Sequence, residues 1–222
     1  MVEFPRGGFD NEVPMGARKL PCALVVDTSG SLTAYEAVLK EGVQRLVTEL
    51  QSNYATAATV EIMLVLFDDT ARIVHPFTNV RSLEVPDFDT GGTTHLFEAL
   101  DLAYAEIRTR QEQYKAAGVD SYAPFLVVLT DGRPVGDEDT NDIVATIRSR
   151  NEAKKLVPYP FAMGNEADEQ LLKSLRGDNM AFRVDMENLG DIFEFVSVSL
   201  SSIATDVTTL SASQLPQTIS II

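Results

Sequence analysis

Three short stretches of this chain carry side chains able to do chemistry. Asp27-Thr28-Ser29-Gly30-Ser31 sets a carboxylate and two serine hydroxyls at alternate positions, directly after the apolar run Leu20 to Val26. Gly91-Gly92-Thr93-Thr94 delivers hydroxyls from a flexible turn to the start of a helix, and Thr130-Asp131-Gly132 follows the apolar run Phe125 to Leu129. Together they offer two carboxylates and three or four hydroxyls, with no histidine or thiolate required. An all-oxygen donor set suits a hard divalent cation such as Mg²⁺ or Mn²⁺ and argues against zinc or copper. Mg²⁺ demands near-octahedral geometry and usually keeps several waters. Neutral hydroxyls around it leave it electrophilic, so a site that holds its own acids back is suited to taking a carboxylate from another molecule. The helix after Ser31 turns its positive end toward such an ion, a cost that Asp27 and Asp131 must offset.

Ligands in an open α/β sheet gather outside the carboxyl ends of strands, where strand order reverses. The surrounding elements therefore decide whether the three stretches meet. Leu20 to Val26 reads as a buried strand. A helix follows, with Tyr35, Val38, Leu39, Val43, Leu46, Val47 and Leu50 on the helical period, and Thr33 with Glu36 has capping-box spacing. Val60 to Phe67 and Arg72 to Phe77 are strands joined by the acidic turn Asp68-Asp69-Thr70, which predicts a hairpin. Pro76 places the second of them at a sheet edge. Beyond a Pro/Asp/Gly segment from Pro86 to Gly92, a helix carries Leu96, Ala99, Leu100, Ala103, Tyr104 and Ile107 on one face. The strand Phe125 to Leu129 leads to a helix from about Asp139 to Lys154, a strand Leu156 to Met163 and a short helix through Leu171, Leu172 and Leu175. A strand Phe182 to Val184 and a helix with Leu189, Ile192, Phe193, Val196 and Leu200 complete the order. This alternation predicts an α/β fold, Rossmann-like and doubly wound, with a mostly parallel six-stranded sheet, one antiparallel edge strand and helices on both faces. Pro158 and Pro160 have their nitrogens on the same side of their strand, so they predict a weakened ladder toward one neighbour.

The 222 residues include 18 basic and 33 acidic side chains, a formal charge of −15, and are 45% hydrophobic. That apolar fraction excludes disorder and suits one packed domain. The acidic balance, with no Lys/Arg cluster against it, repels phosphate backbones and anionic lipid, so nucleic acid and membrane are not expected partners. Cys22 is the single cysteine. It cannot form an internal disulfide, and a reducing compartment fits. No apolar leader stands in Met1 to Leu20, and no run approaches the ~18 apolar residues of a membrane span. The expected location is the cytoplasm.

Asp27-x-Ser29-x-Ser31, a threonine in a Gly-Gly-Thr turn and Thr130-Asp131-Gly132, in that order, resemble the metal-ion-dependent adhesion site (MIDAS) of von Willebrand factor type A domains. The strings Leu-Val-Val-Asp-Thr-Ser-Gly-Ser-Leu, Leu-Thr-Asp-Gly-Arg-Pro and Tyr-Lys-Ala-Ala-Gly are similar to the bacterial TerY/YegL-like, tellurium resistance-associated branch. Leu32 stands where that branch often has Met, a change that should affect packing only. The resemblance covers about residues 19–206, leaving 1–18 as an N-terminal extension and 207–222 as a polar tail, frayed from about Thr208. It implies that Ser29, Ser31 and the turn threonine coordinate Mg²⁺ or Mn²⁺, with Asp27 and Asp131 acting directly or through water. In that branch the threonine lies six residues before the apolar helix position that Leu100 occupies here, which selects Thr94 over Thr93. The implied function is a non-enzymatic module that captures a partner's Asp or Glu carboxylate at the metal, in a stress-response system with kinase or phosphatase partners.

Other readings stay open at this point. Asp-x-Ser-x-Ser alone is also a helix N-cap, and Thr-Asp-Gly alone is also a turn. Asp27 could serve an Mg²⁺-dependent phosphohydrolase, although the second acid that chemistry needs two positions on is Ser29. A serine hydrolase lacks its Gly-x-Ser-x-Gly elbow and a Walker A motif is absent. A scaffold with an unused metal site is the third alternative. His95, beside Thr94, is either a partner contact or a solvated helix-start residue, and His75 reads as structural. Cys22 reads as a small buried residue. Asp137, Glu138 and Asp139 are either a rim to the site or a solvated helix start.

Overall fold

The computed structural model describes residues 18–134, 141–205 and 215–222. The apolar runs become strands that are buried along their whole length, β1 (Leu20–Asp27) and β2 (Val60–Phe67), as strands covered on both faces must be. β1 pairs parallel with β2 on one side and with β4 (Phe125–Thr130) on the other. β5 (Val157–Met163) and β6 (Phe182–Val184) extend the parallel run beyond β4. β3 (Ala71–Asn79) lies antiparallel against β2 at one edge, where Pro76 costs no interior hydrogen bond. Among the described residues the sheet order is β3-β2-β1-β4-β5-β6-β7, so strand order reverses between β1 and β4.

The fold class is the expected one, with one strand more than the expected six. The seventh, β7 (Ile219–Ile221), pairs antiparallel with β6 and gives the sheet a second antiparallel edge. Residues at the end of the polar tail thus belong to the sheet, while 206–214 lie outside the described residues, as do 1–17 and the acidic trio Asp137, Glu138 and Asp139.

Alternate residues of β1 feed two cores. Cys22, Leu24 and Val26 join α1 (Glu36–Ser52) and α6 (Gly190–Ala204) on one face. Ala23 and Val25 join α3 (Leu96–Ala117) and α4 (Asn141–Glu152) on the other. Cys22 is fully buried, and burial pushes its thiol up to about 12, so it is inert packing. Two short helices, α2 (Tyr54–Thr59) and α5 (Glu169–Ser174), fill one core each through Ala57 and Leu172. Val38, expected on the apolar face of α1, is 40% exposed.

α1 and α6 approach closely at Gly42, where an added Cβ would stand 2.3 Å from Cδ2 and Cε2 of the buried Phe193 ring. Gly42→Ala should therefore destabilise the fold by about 1–3 kcal/mol of overpacking. That outweighs the ~1 kcal/mol that alanine gains in a helix. Thermal unfolding checks it, and an unchanged or raised midpoint would show that Phe193 has room to move.

The capping box does not form. Thr33 lies in a 3-10 turn, Gly30–Tyr35, and its hydroxyl donates back to Gly30 O at 2.9 Å. Glu36 instead accepts from the Thr90 N–H at 3.0 Å and the Thr90 hydroxyl at 2.8 Å, and pairs with Lys40 at 2.9 Å. Lys40 and Thr90 hold its carboxyl well below the usual range. A residue read as a helix cap thus anchors the loop that leads to Thr94.

The weakened ladder expected at β5 lies on its β6 side. β4 pairs with β5 from Phe125↔Val157 to Thr130↔Ala162, whereas β6 pairs only with Phe161 to Met163 and so stops short of Pro158 and Pro160. Arg176 Nη1 supplies a donor to Pro158 O at 2.9 Å, where a longer β6 would have paired.

Candidate metal site

β1 and β4 end side by side at the reversal point, and the three stretches converge there. Asp27 Oδ1 accepts from the Ser29 N–H at 2.8 Å, and its Oδ2 accepts from the Thr130 hydroxyl at 2.6 Å. Ser29 Oγ and Ser31 Oγ are 3.2 Å apart, and Ser31 Oγ donates to Asp131 Oδ1 at 3.0 Å. Asp27, Ser29, Ser31 and Asp131 therefore form one connected oxygen cluster.

The Gly-Gly-Thr turn is stapled onto it. Gly91 N–H donates to Thr28 O at 2.7 Å, and Gly30 N–H donates to Gly92 O at 3.1 Å. Gly92 has φ +74, and a Cβ there would stand 2.7 Å from the Asp69 carboxylate carbon, so backbone and space both require glycine. The two threonines part company after it. Thr93 sends its N–H and its hydroxyl to Asp69 Oδ1, both at 2.8 Å, and lies 3.2 Å from His95 Nδ1. Thr94 is buried, with Oγ1 3.1 Å from where a Cβ on Gly132 would stand. Thr94 thus faces the Asp131-Gly132 turn and Thr93 faces away from it.

Neighbouring residues support this arrangement. Asp68, at the end of β2, accepts from the Thr28 hydroxyl at 3.1 Å and pairs with Arg72 at 2.6 Å. The Asp68 carbonyl accepts the His95 N–H at 3.0 Å and stands 3.0 Å from His95 Nδ1. His95 is thereby tied to the turn beneath it. His75, on the edge strand β3, is 3.0 Å from Pro76 O and takes no part. Asp68 and Asp69 were legible only as a hairpin turn. The signal that could have found them is that they follow a buried strand neighbouring β1, at the same end of the sheet as Asp27.

The electrostatics are unbalanced. Asp27 is fully buried and Asp131 only 8% exposed, and among the described residues neither has an ion-pair partner. Burial pushes the Asp27 carboxyl up to about 6, opposed by its hydrogen bonds from Ser29 and Thr130 and reinforced by Asp131 nearby. Burial also raises Asp131, opposed by the Ser31 hydroxyl. Among the described residues no three His, Cys, Asp or Glu side chains are gathered as a metal cluster. This site differs in kind: two hard, uncompensated carboxylates linked by hydroxyls, which is the donor chemistry a hard divalent cation accepts.

The family model for the von Willebrand factor type A domain matches residues 23–195. No curated protein sequence matches the chain. Among solved structures, BatB from Bacteroides thetaiotaomicron is 19% identical, with a TM-score of 0.57 over 84% of this chain and 99% of that one. The ArnB paralog VWA2 from Sulfolobus acidocaldarius is 17% identical, with a TM-score of 0.54 over 80% of this chain and 45% of that one. Proximal thread matrix protein 1 from the mussel byssus, with a zinc-occupied MIDAS motif, is 13% identical, with a TM-score of 0.55 over 83% of this chain and 48% of that one. The chain spans about half the length of the latter two. At these identities the likeness is one of fold, and the fold agrees with the sequence match. The chain belongs to the von Willebrand factor type A domain family.

Proposed function

We propose that this domain is a non-enzymatic, metal-dependent protein-binding module that takes a partner's Asp or Glu carboxylate at a Mg²⁺ or Mn²⁺ ion. Domains of this family commonly bind partners through a divalent metal. The observation that supports the reading here is the pair of buried, unpaired carboxylates, Asp27 and Asp131, joined through the Ser29 and Ser31 hydroxyls. Ser29, Ser31 and Thr94 would hold the ion, with Asp27 and Asp131 in contact or through water; bound, it would supply a positive centre for an incoming carboxylate. The zinc in the mussel protein belongs to that protein, and the oxygen-only donors here favour the harder ions. Asp27 fixes the Ser29 backbone, Thr130 fixes Asp27, and the stapled turn fixes Thr94. The TerY-like strings extend the proposal to a cytoplasmic bacterial stress-response role with a kinase or phosphatase partner. Among the described residues no helix is long and apolar enough to cross a membrane.

Calorimetric titration of Mg²⁺ and Mn²⁺ into wild type and Asp27→Ala tests the metal. Wild type should bind and the variant should not; equal binding, or none by wild type at millimolar metal, would overturn the reading. Retention on an immobilised glutamate-containing peptide should require Mg²⁺ and vanish in EDTA, while a scaffold would be indifferent. Turnover of p-nitrophenyl phosphate lost in Asp27→Asn would establish the phosphohydrolase instead.

Thr94→Ala should lower Mg²⁺ affinity by less than about tenfold, because water can replace a neutral hydroxyl, yet it should impair peptide retention more severely. Thr93→Ala should change neither. Its hydroxyl bonds Asp69 rather than capping α3, so a loss of about 0.5–1.5 kcal/mol in stability is the expected whole effect. The two variants compared by calorimetry and urea unfolding separate these roles.

A further inference from the structure

At the other end of the parallel strands, where β4 and β5 begin, a half-enclosed cavity of ≈ 240 Å³ opens between α3 and α4. Tyr104, Gln111 and Tyr122 line it, together with three cations, Arg150, Lys154 and Lys155. In a chain with 33 acidic and 18 basic side chains, no acid lines this cavity. Among the described residues, Lys154 and Lys155 have no ion-pair partner. Arg150 uses Nε to donate to the Tyr104 hydroxyl at 2.9 Å, which sets its guanidinium against the wall. A fourth cation, Arg18, stacks on the Tyr122 ring with its guanidinium carbon 4.1 Å from the centroid.

The backbone supplies a second observation. Lys154 has φ +56, the left-handed position past the end of α4 where glycine or asparagine is the ordinary residue. Lys154 and Lys155 close the helix by donating N–H groups to Asn151 O and Arg150 O, each at 2.8 Å. Cations near a helix C-terminus are commonly matched to its dipole. That does not explain a lysine at a strained position glycine would occupy without cost, and such strain points toward a use for the side chain.

We propose that this cavity is a second binding site, for a small phosphate monoester with an aromatic or nucleoside ring. The phosphate would pair with Arg150, Lys154 and Lys155, for which a forked guanidinium and two mobile ammonium groups are suited. The ring would lie against the Tyr104 and Tyr122 side of the cavity, whose volume admits a small ligand rather than a protein surface. The site is remote from the metal site: β4 alone, six residues long, separates the two ends by roughly 20 Å.

The test is calorimetric titration of phenyl phosphate and adenosine monophosphate into the full chain in EDTA, so that the metal site takes no part. Inorganic phosphate and phenol serve as the half-ligands. Phenyl phosphate or the nucleotide should bind with a Kd of about 1 mM or tighter and more tightly than either half-ligand. The variant Lys154→Gly/Lys155→Ala should weaken that binding by about tenfold or more. It should unfold at an equal or higher temperature than wild type, because glycine relieves the left-handed strain. Ser31→Ala should leave the binding unchanged. Absence of binding by wild type, equal binding by the Lys154/Lys155 variant, or inorganic phosphate binding as tightly as both esters would overturn the proposal.

Discussion

Asp27→Asn should make the metal-free domain more stable at neutral pH while abolishing its affinity for Mg²⁺. The folded carboxyl sits near 6 against 3.8 in the ordinary case, because burial disfavours its charge. The folded state therefore holds the proton more tightly than the unfolded chain. Stability falls as pH rises from about 3.8 to about 6, and the whole penalty of about 3 kcal/mol remains above that. Asparagine has no charge to bury, and the Thr130 hydroxyl can turn from donor to acceptor to meet its amide. After allowing about 1 kcal/mol for poorer hydrogen bonding, the variant should gain about 1–3 kcal/mol at pH 7 and nothing below pH ~4. Urea unfolding of both proteins in EDTA, at neutral and at acid pH, measures the difference. A variant less stable than wild type at pH 7 would show that Asp27 is compensated within the fold.

The second large effect is expected far from the site. Glu61, inside the buried strand β2, accepts from Arg110 Nε at 2.7 Å and Nη2 at 2.6 Å and from the Tyr114 hydroxyl at 2.5 Å. Lys19 lies 3.7 Å from its other oxygen and also donates to Ala58 O at 3.1 Å. All four side chains are buried, and burial raises the Tyr114 hydroxyl so that it remains a donor. Glu61→Ala would remove the carboxylate that faces the buried Arg110 and Lys19 and accepts from Tyr114, a loss of about 3–5 kcal/mol. That is a fifth or more of the stability of an ordinary domain. The double variant Glu61→Leu/Arg110→Met should be less damaging than Glu61→Ala, because it removes the Arg110 charge together with its acid and leaves only Lys19, which still donates to Ala58 O, to adjust. Equilibrium unfolding of the three proteins decides this, and a loss under 1 kcal/mol for Glu61→Ala would mean that water reaches the cluster.

The contrast between these two acids shows what is legible in the sequence. Asp27 stands out because it ends an unbroken apolar run, and the strand-end rule assigns such a residue to the ligand-bearing edge of the sheet. Glu61 stands at the start of a similar run and carries no local sign of its three partners, which lie 42 residues before it and 49 and 53 residues after it. The same distinction separates the elements. β1, β2 and β4 are long apolar runs, and the hairpin turn and Pro76 mark β3 as an edge. β7 has only three residues and acquires its identity from β6. α2 left one sign, Asn53, whose Oδ1 accepts from Ala55 N at 3.0 Å and Thr56 N at 3.1 Å. Glu36 had the spacing of a capping residue, but the tertiary partners Thr90 and Lys40 claim it. In the sequence Lys154 marks only the approximate end of a helix and no Lys/Arg cluster stands out; Arg150, Lys154 and Lys155 are gathered by the cavity and a positive φ, neither of which shows in composition.

The strand order β3-β2-β1-β4 also sets a sequence of events in folding. The β2–β3 hairpin closes across a three-residue turn, an event of about 1–10 μs. Joining β1 to β2 brings together residues 40 apart, and joining β1 to β4 residues 103 apart, as Leu20↔Val60 and Cys22↔Phe125 show. Such distant pairings are slow because chain entropy is lost before any contact compensates for it. Asp27, Thr94 and Asp131 lie on stretches that only those late closures unite. The site is therefore absent from any early hairpin-containing intermediate, and whatever it binds acts on the completed chain alone, adding to the depth of the final basin without speeding the descent.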